Sequence, residues 1–279
     1  IGTAQFGMSY GINNKIGKVN QSDIDEILSF AYTNHIKSID TAKSYGDSEN
    51  KIGSFIKNNK NDWDITTKVS DLNQSLQSQI NDSTAKLGCK PTSLLAHNTE
   101  LFLSESFQKE IKSVKNKGLI NKVGLSLYTN NEIELVLKYS KYIDIIQLPI
   151  NILDTRLIKN GAIQRIYNSG IEIQARSIFL QGMFFMSDLE INRRFNLAFE
   201  AIQYLKKIIK DEDISLPEYS LLFVLRLEQI SKVVIGLESV SQLTTNIKTL
   251  NKNVNSKIFQ KALTLNFKND LILNPVLWK

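Results

Sequence analysis

Short apolar and β-branched runs alternate along the chain with longer stretches in which apolar residues recur every three or four positions. The runs predict strands at residues 1–6, 36–40, 64–69, 93–97, 122–126, 143–149, 171–177 and 233–236. Their starts lie 35, 28, 29, 29, 21, 28 and 62 residues apart. All but the last gap fit one helix with two loops, the connection that parallel strands require.

The stretches between them have helix chemistry. Ser22 is placed to cap a helix whose inward stripe is Ile24, Ile27, Leu28 and Ala31. Ser48 is placed to cap the next, with Ile52, Phe55 and Ile56 inward. Leu72, Leu76 and Ile80 begin a third stripe; Phe107, Ile111 and Val114 make a fourth, ended by Gly118. Ile133, Val136 and Leu137 form a fifth, and Ile163, Ile166 and Tyr167 a sixth, ended by Gly170. Beyond the seventh strand run Phe195, Ala198, Ile202, Leu205 and Ile209, then a helix with Pro217 at its first position.

Eight strands alternating with helices, with no Pro/Gly/Ser linker between them, predict an α/β fold. It is a single (β/α)8 TIM barrel over residues 1–279, with extra helices after strand seven and a C-terminal tail. A doubly wound sheet is the rival. It would be favoured by a glycine-rich phosphate turn after the first strand. Residues Gly2 to Gly7 lack the G-x-G-x-x-G spacing. Gly11 and Gly17 enclose five residues rather than four, and Val19 stands where a P-loop needs Ser or Thr.

Composition narrows the class. With 34 Lys+Arg against 28 Asp+Glu the net charge is +6, and no block of like charge concentrates it. Lys206, Lys207 and Lys210 alternate with apolar residues as on a solvated helix face, so no nucleic-acid track is expected. Cys89 is the only cysteine, and His35 and His97 are the only histidines. That excludes an intrachain disulfide and a Cys-based zinc site, and no metal site is expected. No apolar run approaches the roughly 18 residues of a membrane span, so neither membrane nor nucleic acid is an expected partner. No signal peptide is visible, and the expected compartment is the cytoplasm.

Three strands break the apolar pattern at one end. The second ends in Asp40, the third carries Lys68 and the fourth ends in His97. In a barrel these C-terminal ends ring one mouth, where active sites sit. Singly, Asp40 reads as a cap, Lys68 as a surface lysine and His97 as a satisfied rim histidine; their coincidence on consecutive strands points to a site. Tyr45 lies five residues past Asp40 on the same rim loop. A phenol titrates near 10, and an ammonium beside it favours the phenolate. A carboxylate keeps that lysine charged. Asp–Lys–Tyr is thus a tuned proton donor, and a histidine beside it can orient a carbonyl oxygen.

In these residues the chain resembles the aldo-keto reductase superfamily. Asp40-x4-Tyr45-Gly46-x-Ser48-Glu49, then Lys68 after Ile65-Thr66-Thr67, then His97 after Leu94-Leu95-Ala96, is similar to that family's Asp/Tyr/Lys/His tetrad in type and order. The segment Gly2–Gly7 resembles its first strand. Val123-Gly124-Leu125-Ser126, Gln147 and Val234-Ile235-Gly236 resemble later signatures. The resemblance implies a TIM barrel that transfers hydride between NAD(H) or NADP(H) and an aldehyde, ketone or alcohol, with Tyr45, Lys68, Asp40 and His97 as catalytic groups. It implies that Ser126 and Gln147 hold the nicotinamide carboxamide, with Arg176 beside the ring, and that Gly236, Glu238, Ser239, Gln242 and Asn246 surround the ADP part.

Three departures stand out. Leu127 replaces the Asn that often follows the strand-five Ser. Arg176 replaces a stacking aromatic; a guanidinium plane can also stack, but its charge disfavours the oxidised ring. Glu238 replaces the basic residue that often holds a 2′-phosphate, which tilts the expected cofactor towards NAD(H). The expected partner is a small carbonyl substrate, with a sugar-related one suggested by family association. Phe179, Leu180, Met183, Phe184 and Phe185 are candidates for pocket or packing. Two other readings stay open: a Schiff-base aldolase or isomerase using Lys68, and a non-catalytic dinucleotide-binding regulatory protein.

Overall fold

The computed structural model describes residues 1–127 and 130–278. Among these residues seven strands form one parallel sheet in sequence order: β1 Ser38–Asp40, β2 Asp64–Val69, β3 Ser93–Ala96, β4 Lys122–Ser126, β5 Ile145–Pro149, β6 Glu172–Arg176 and β7 Ile230–Val233. Every neighbour is parallel, and the chain between successive strands is helical, so the doubly wound rival is not the fold. The sheet curls until its edges approach: Gly2 bridges Asp40 on one side and Gly236 on the other.

The expected strand at 1–6 is corrected. Only Gly2 pairs, and Ala4–Gly7 closes into a helical turn. The reason is the crossing beneath the next loop. A Cβ on Gly7 would stand 1.7 Å from the Tyr45 carbonyl oxygen, and one on Gly46 (φ +55°) would stand 2.3 Å from the Gly7 carbonyl. The backbones touch there, which an extended strand carrying side chains on both faces could not do. Thr3, wholly buried, donates its hydroxyl to the Asp40 carbonyl and so fixes the turn.

The last strand also shifts, from 233–236 to Ile230–Val233, across an irregularity in register at Ile173/Gln174. The capping residues move too. Asn20, not Ser22, caps helix Gln21–Thr33 by accepting from the Asp23 amide. Ser48 is the first residue of helix Ser48–Asn58 rather than its cap, and its hydroxyl turns inward to Thr3. Leu72 precedes helix Leu76–Leu87, Tyr167 is exposed, and Pro217 is the second residue of Leu216–Leu225.

The apolar core is a jacket outside the strands. Leu94, Val123, Leu125, Ile146, Leu148 and Ile173 face Phe107, Ile111, Val114, Ile133, Val136 and Ile166 from the helices, all 2% exposed or less. A second cluster joins Ile39 and Ile65 to Ile24, Leu28, Ile52 and Phe55. Burial of each such side chain contributes about 1.5–3 kcal/mol. Many of the alternate positions, pointing into the ring, are polar, with Leu95 and Ile145 as buried apolar exceptions. Lys232 on β7 pairs with Asp64 on β2, Lys122 on β4 bonds Glu172 on β6 at 2.6 Å, and Gln147 on β5 bonds Asp40 on β1. Barrel interiors are usually filled by branched apolar residues; the interior of this curled sheet is in addition crossed by hydrogen bonds.

After β6 come Asp188–Arg194, Asn196–Ile208 and Leu216–Leu225, and the C-terminal segment packs back through Trp278 onto Phe195, ring centroids 4.8 Å apart. Among the described residues no helix is long and apolar enough to cross a membrane.

Candidate active site

Asp40 ends β1, Lys68 is the penultimate residue of β2 and His97 follows β3. The Lys68 ammonium lies 2.5 Å from Asp40 Oδ2 and 3.0 Å from the Thr41 carbonyl oxygen. Both partners are buried, Lys68 at 2% exposure and Asp40 at 8%. Such a pair loses hydration on burial and needs its remaining lone pairs and protons satisfied. Thr41 serves the lysine, and Gln147 serves the carboxylate by donating to Oδ1 at 2.5 Å.

Tyr45 stands on the loop between β1 and helix Ser48–Asn58. The Gly7–Gly46 crossing sets the height of that loop. The Lys68 ammonium is 5.3 Å from the Tyr45 ring centroid, and the His97 ring meets Tyr45 edge-on at 6.0 Å. His97 Nδ1 is 3.2 Å from the Ser44 hydroxyl. Burial, then the charges of Lys68 and Arg176, push the imidazole down to about 4 against the opposing pull of Asp40. The ring is therefore neutral near pH 7.

These groups line one wall of a cavity of about 380 Å³. Of the other expected residues, Ser126, Arg176, Gly236, Glu238, Gln242 and Asn246 line it as well. Two do not. Ser239 is spent as the cap of helix Val240–Leu250, accepting from the Gln242 amide. Gln147 points into the ring, with its amide given to Asp40 and, at 3.0 Å, to Gln174 Oε1.

Arg176 is held by neighbours on β4: its Nε donates to Ser126 Oγ at 3.0 Å and its Nη2 to the Leu127 carbonyl at 2.6 Å. Glu238 accepts from the Gln242 side chain at 3.4 Å, and burial raises its carboxyl above the ordinary value. Lys232 stands at the other end of the ring, paired with Asp64.

Several cavity residues escape a sequence reading. Ser241 and Thr245 lie beside Gln242 and Asn246, four residues apart on the same helix; the helical period alone could have found them. Gln5 also lines the wall, and its buried Oε1 has no hydrogen-bond partner. The segment after β6 turns through left-handed conformations at Ser177, Leu180 and Gln181 (φ +58°, +48° and +52°), which nothing in their residue types announces. Phe179 and Phe185 face the cavity, whereas Leu180, Met183 and Phe184 pack in the core. Among the described residues no group of three or more His, Cys, Asp or Glu side chains could hold a metal.

Residues 1–263 match the aldo/keto reductase family. The fold is similar to that of an aldo-keto reductase from Bacillus halodurans in its holo form, at 18% identity over 95% of this chain and 90% of that one, with a TM-score of 0.77. It is also similar to a thermostable aldo-keto reductase in complex with the inhibitor epalrestat, at 19% identity over 95% and 94% of the two chains, TM-score 0.75. No curated protein matches the chain.

Proposed function

The chain belongs to the aldo/keto reductase family and is an oxidoreductase, and from that premise we propose that it reduces an aldehyde or ketone with Tyr45 as the proton donor. We read residues 1–279 as one eight-stave barrel, the bridge at Gly2 standing for the eighth stave. The observation that carries the chemistry is the buried Lys68 ammonium held between Asp40 and the ring of Tyr45.

The cavity suits a nicotinamide cofactor. A Cβ on Gly236 would come within 2.6 Å of the Gln5 side chain, so the glycine lets Gln5 pack into this corner of the cavity. The unpartnered Gln5 Oε1 beside it awaits a donor. The N-terminus of helix Val240–Leu250 opens nearby, a natural place for a phosphate. Gly236, Glu238, Gln242 and Asn246 would hold the adenosine end, with Ser126 and Arg176 at the nicotinamide. When bound, the cofactor supplies the hydride for the carbonyl carbon.

The protein's own groups do the rest. Tyr45 gives its phenolic proton to the carbonyl oxygen as negative charge develops there, and Lys68 stabilises the phenolate that remains. Asp40 keeps Lys68 in place. Neutral His97, with Nδ1 accepting from Ser44, donates from Nε2 to the same oxygen. A Schiff base on Lys68 is disfavoured, because an ammonium committed to Asp40 and Thr41 has no lone pair to attack with.

Glu238 at the adenosine end supports NAD(H), used at least as well as NADP(H). Phe179, Phe185 and Tyr10 beside Asn13 and Gln181 suit a substrate with an apolar face and hydroxyl groups, as a sugar-related carbonyl has. The test is oxidation of NADH and NADPH over a panel of aldehydes and sugar carbonyls, with Tyr45→Phe as control. Turnover that Tyr45→Phe leaves intact would overturn the proton-donor role.

A further inference from the structure

We propose that Gln174, acting through Gln147, is a positioning residue for Asp40. The inference rests on the reading that Asp40, Lys68 and Tyr45 carry the proton. Gln147 and Gln174 are register partners on β5 and β6, and their exposures are 1% and 2%. Their side chains face the interior, where an amide left without partners is costly.

The chain of bonds has one direction. Gln147 Nε2 has two hydrogens and spends both, one on Asp40 Oδ1 at 2.5 Å and one on Gln174 Oε1 at 3.0 Å. Gln174 Nε2 donates in turn to Glu172 Oε1 at 2.9 Å. Glu172 is held by Lys122 at 2.6 Å, with Lys232 at 3.8 Å. The carboxylate at the far end therefore orients Gln174 with its oxygen towards Gln147. That orientation fixes the Gln147 amide group on Asp40.

A Gln147 side chain turned the other way would set its carbonyl oxygen against the Asp40 carboxylate. Gln174 excludes that rotamer, since its Oε1 can only accept. The pair thus holds the second oxygen of Asp40 while Lys68 holds the first, and the carboxylate cannot swing off the lysine. This gives Gln147 a role towards Asp40 that does not need it on the cavity wall.

The test is a double-mutant cycle of Gln174→Met and Gln147→Leu. Tyr45→Phe is measured alongside, and folding is checked by circular dichroism. A neutral hydrogen bond of ordinary strength corresponds to roughly a three- to tenfold change. Gln174→Met should lower kcat by about that factor. The dissociation constants of NADH and NADPH, read by fluorescence, should stay unchanged. In the Gln147→Leu background Gln174→Met should add nothing.

Full additivity of the two changes would overturn the inference. So would a wild-type kcat in Gln174→Met with only a lowered Tm, or a weakened cofactor affinity at constant kcat. These outcomes leave the proton-donor reading standing as long as Tyr45→Phe is impaired. An unimpaired Tyr45→Phe sinks that reading and this inference with it.

Discussion

The Lys68 ammonium lies 5.3 Å from the centre of the Tyr45 ring while its nitrogen is bonded to Asp40 at 2.5 Å. One positive charge is thereby shared between a fixed anion and a phenol that can become one. The strength of Tyr45 as an acid depends on both distances. Removing the transferable proton with Tyr45→Phe, which keeps the ring and its edge contact with His97, should lower turnover by on the order of 10²–10⁴-fold. Steady-state kinetics and cofactor titration check this together, because the affinity for NADH or NADPH should hardly move.

Lys68→Met removes the charge that favours the phenolate. Tyr45 then keeps its proton to higher pH and gives it up less readily. The alkaline limb of the reductive pH profile should move upward and the plateau should drop. Asp40→Asn, which reaches the phenol only through the lysine, should do the same to a smaller degree. A profile indifferent to Lys68→Met would make that lysine a structural residue.

His97 supplies a pH dependence of the opposite kind. Its imidazole is pushed from an ordinary 6.5 down to about 4, first by burial and then by Lys68 and Arg176. Between those values the unfolded chain binds a proton that the folded one does not. The contribution to stability is thus complete above about pH 6.5 and is lost as pH falls towards 4. Urea midpoints measured from pH 7.5 to 4.5 should fall more steeply in wild type than in His97→Gln. In NMR the ring assigned by that mutant should titrate near 4.

The proposed cofactor choice rests on Glu238. Two like charges about 4 Å apart at an effective dielectric near 20 repel by about 4 kcal/mol. A third of that, allowing for exposure, is roughly a tenfold preference. NAD(H) should bind at least as tightly as NADP(H), and Glu238→Arg should turn the balance towards NADP(H). The check is the pair of dissociation constants in both proteins. Strong wild-type preference for NADP(H), unmoved by the change, would show that the carboxylate does not meet the ribose.

The Gly7–Gly46 crossing gives a structural prediction. A methyl group on Gly7 has a carbonyl oxygen 1.7 Å away and flexible atoms nowhere near to yield. Gly7→Ala should therefore displace the loop that carries Tyr45. Turnover should fall by more than the loss of stability accounts for, as measured by kcat beside Tm.

The meeting of Asp40, Tyr45, Lys68 and His97 on one cavity wall is legible because polar residues at the ends of consecutive strands have few other reasons to recur. Strands at 64–69 and 122–126 appear with the expected bounds, since both are long enough to show their pattern. The first strand differs because Ala4 and Phe6 are buried in a helical turn rather than in extended chain. The last strand differs because pairing continues irregularly past Val233: the Val234 amide donates to the Ala175 carbonyl and Gly236 bridges Gly2. The polar side of the sheet interior is also written in the sequence. Asp64, Thr66 and Lys68, then Lys122, Gly124 and Ser126, then Glu172, Gln174 and Arg176 all alternate at period two. An expectation of uniformly apolar buried strands hid that alternation. Gln174 is legible only once the barrel brings β6 beside β5 and across from β1.

That alternation also bears on how the chain finds its fold. On β2, β4 and β6 the side facing the helices is mostly apolar and the side facing the interior carries charged or amide groups, so these strands differ on their two sides. A slip of one residue would press Lys, Glu and Gln into the hydrocarbon jacket and leave Ile and Leu opposite stranded carboxylates. An all-apolar barrel would tolerate such a slip far better. The interior network thus penalises misregistered pairing of these strands through the cost of unpaired charge.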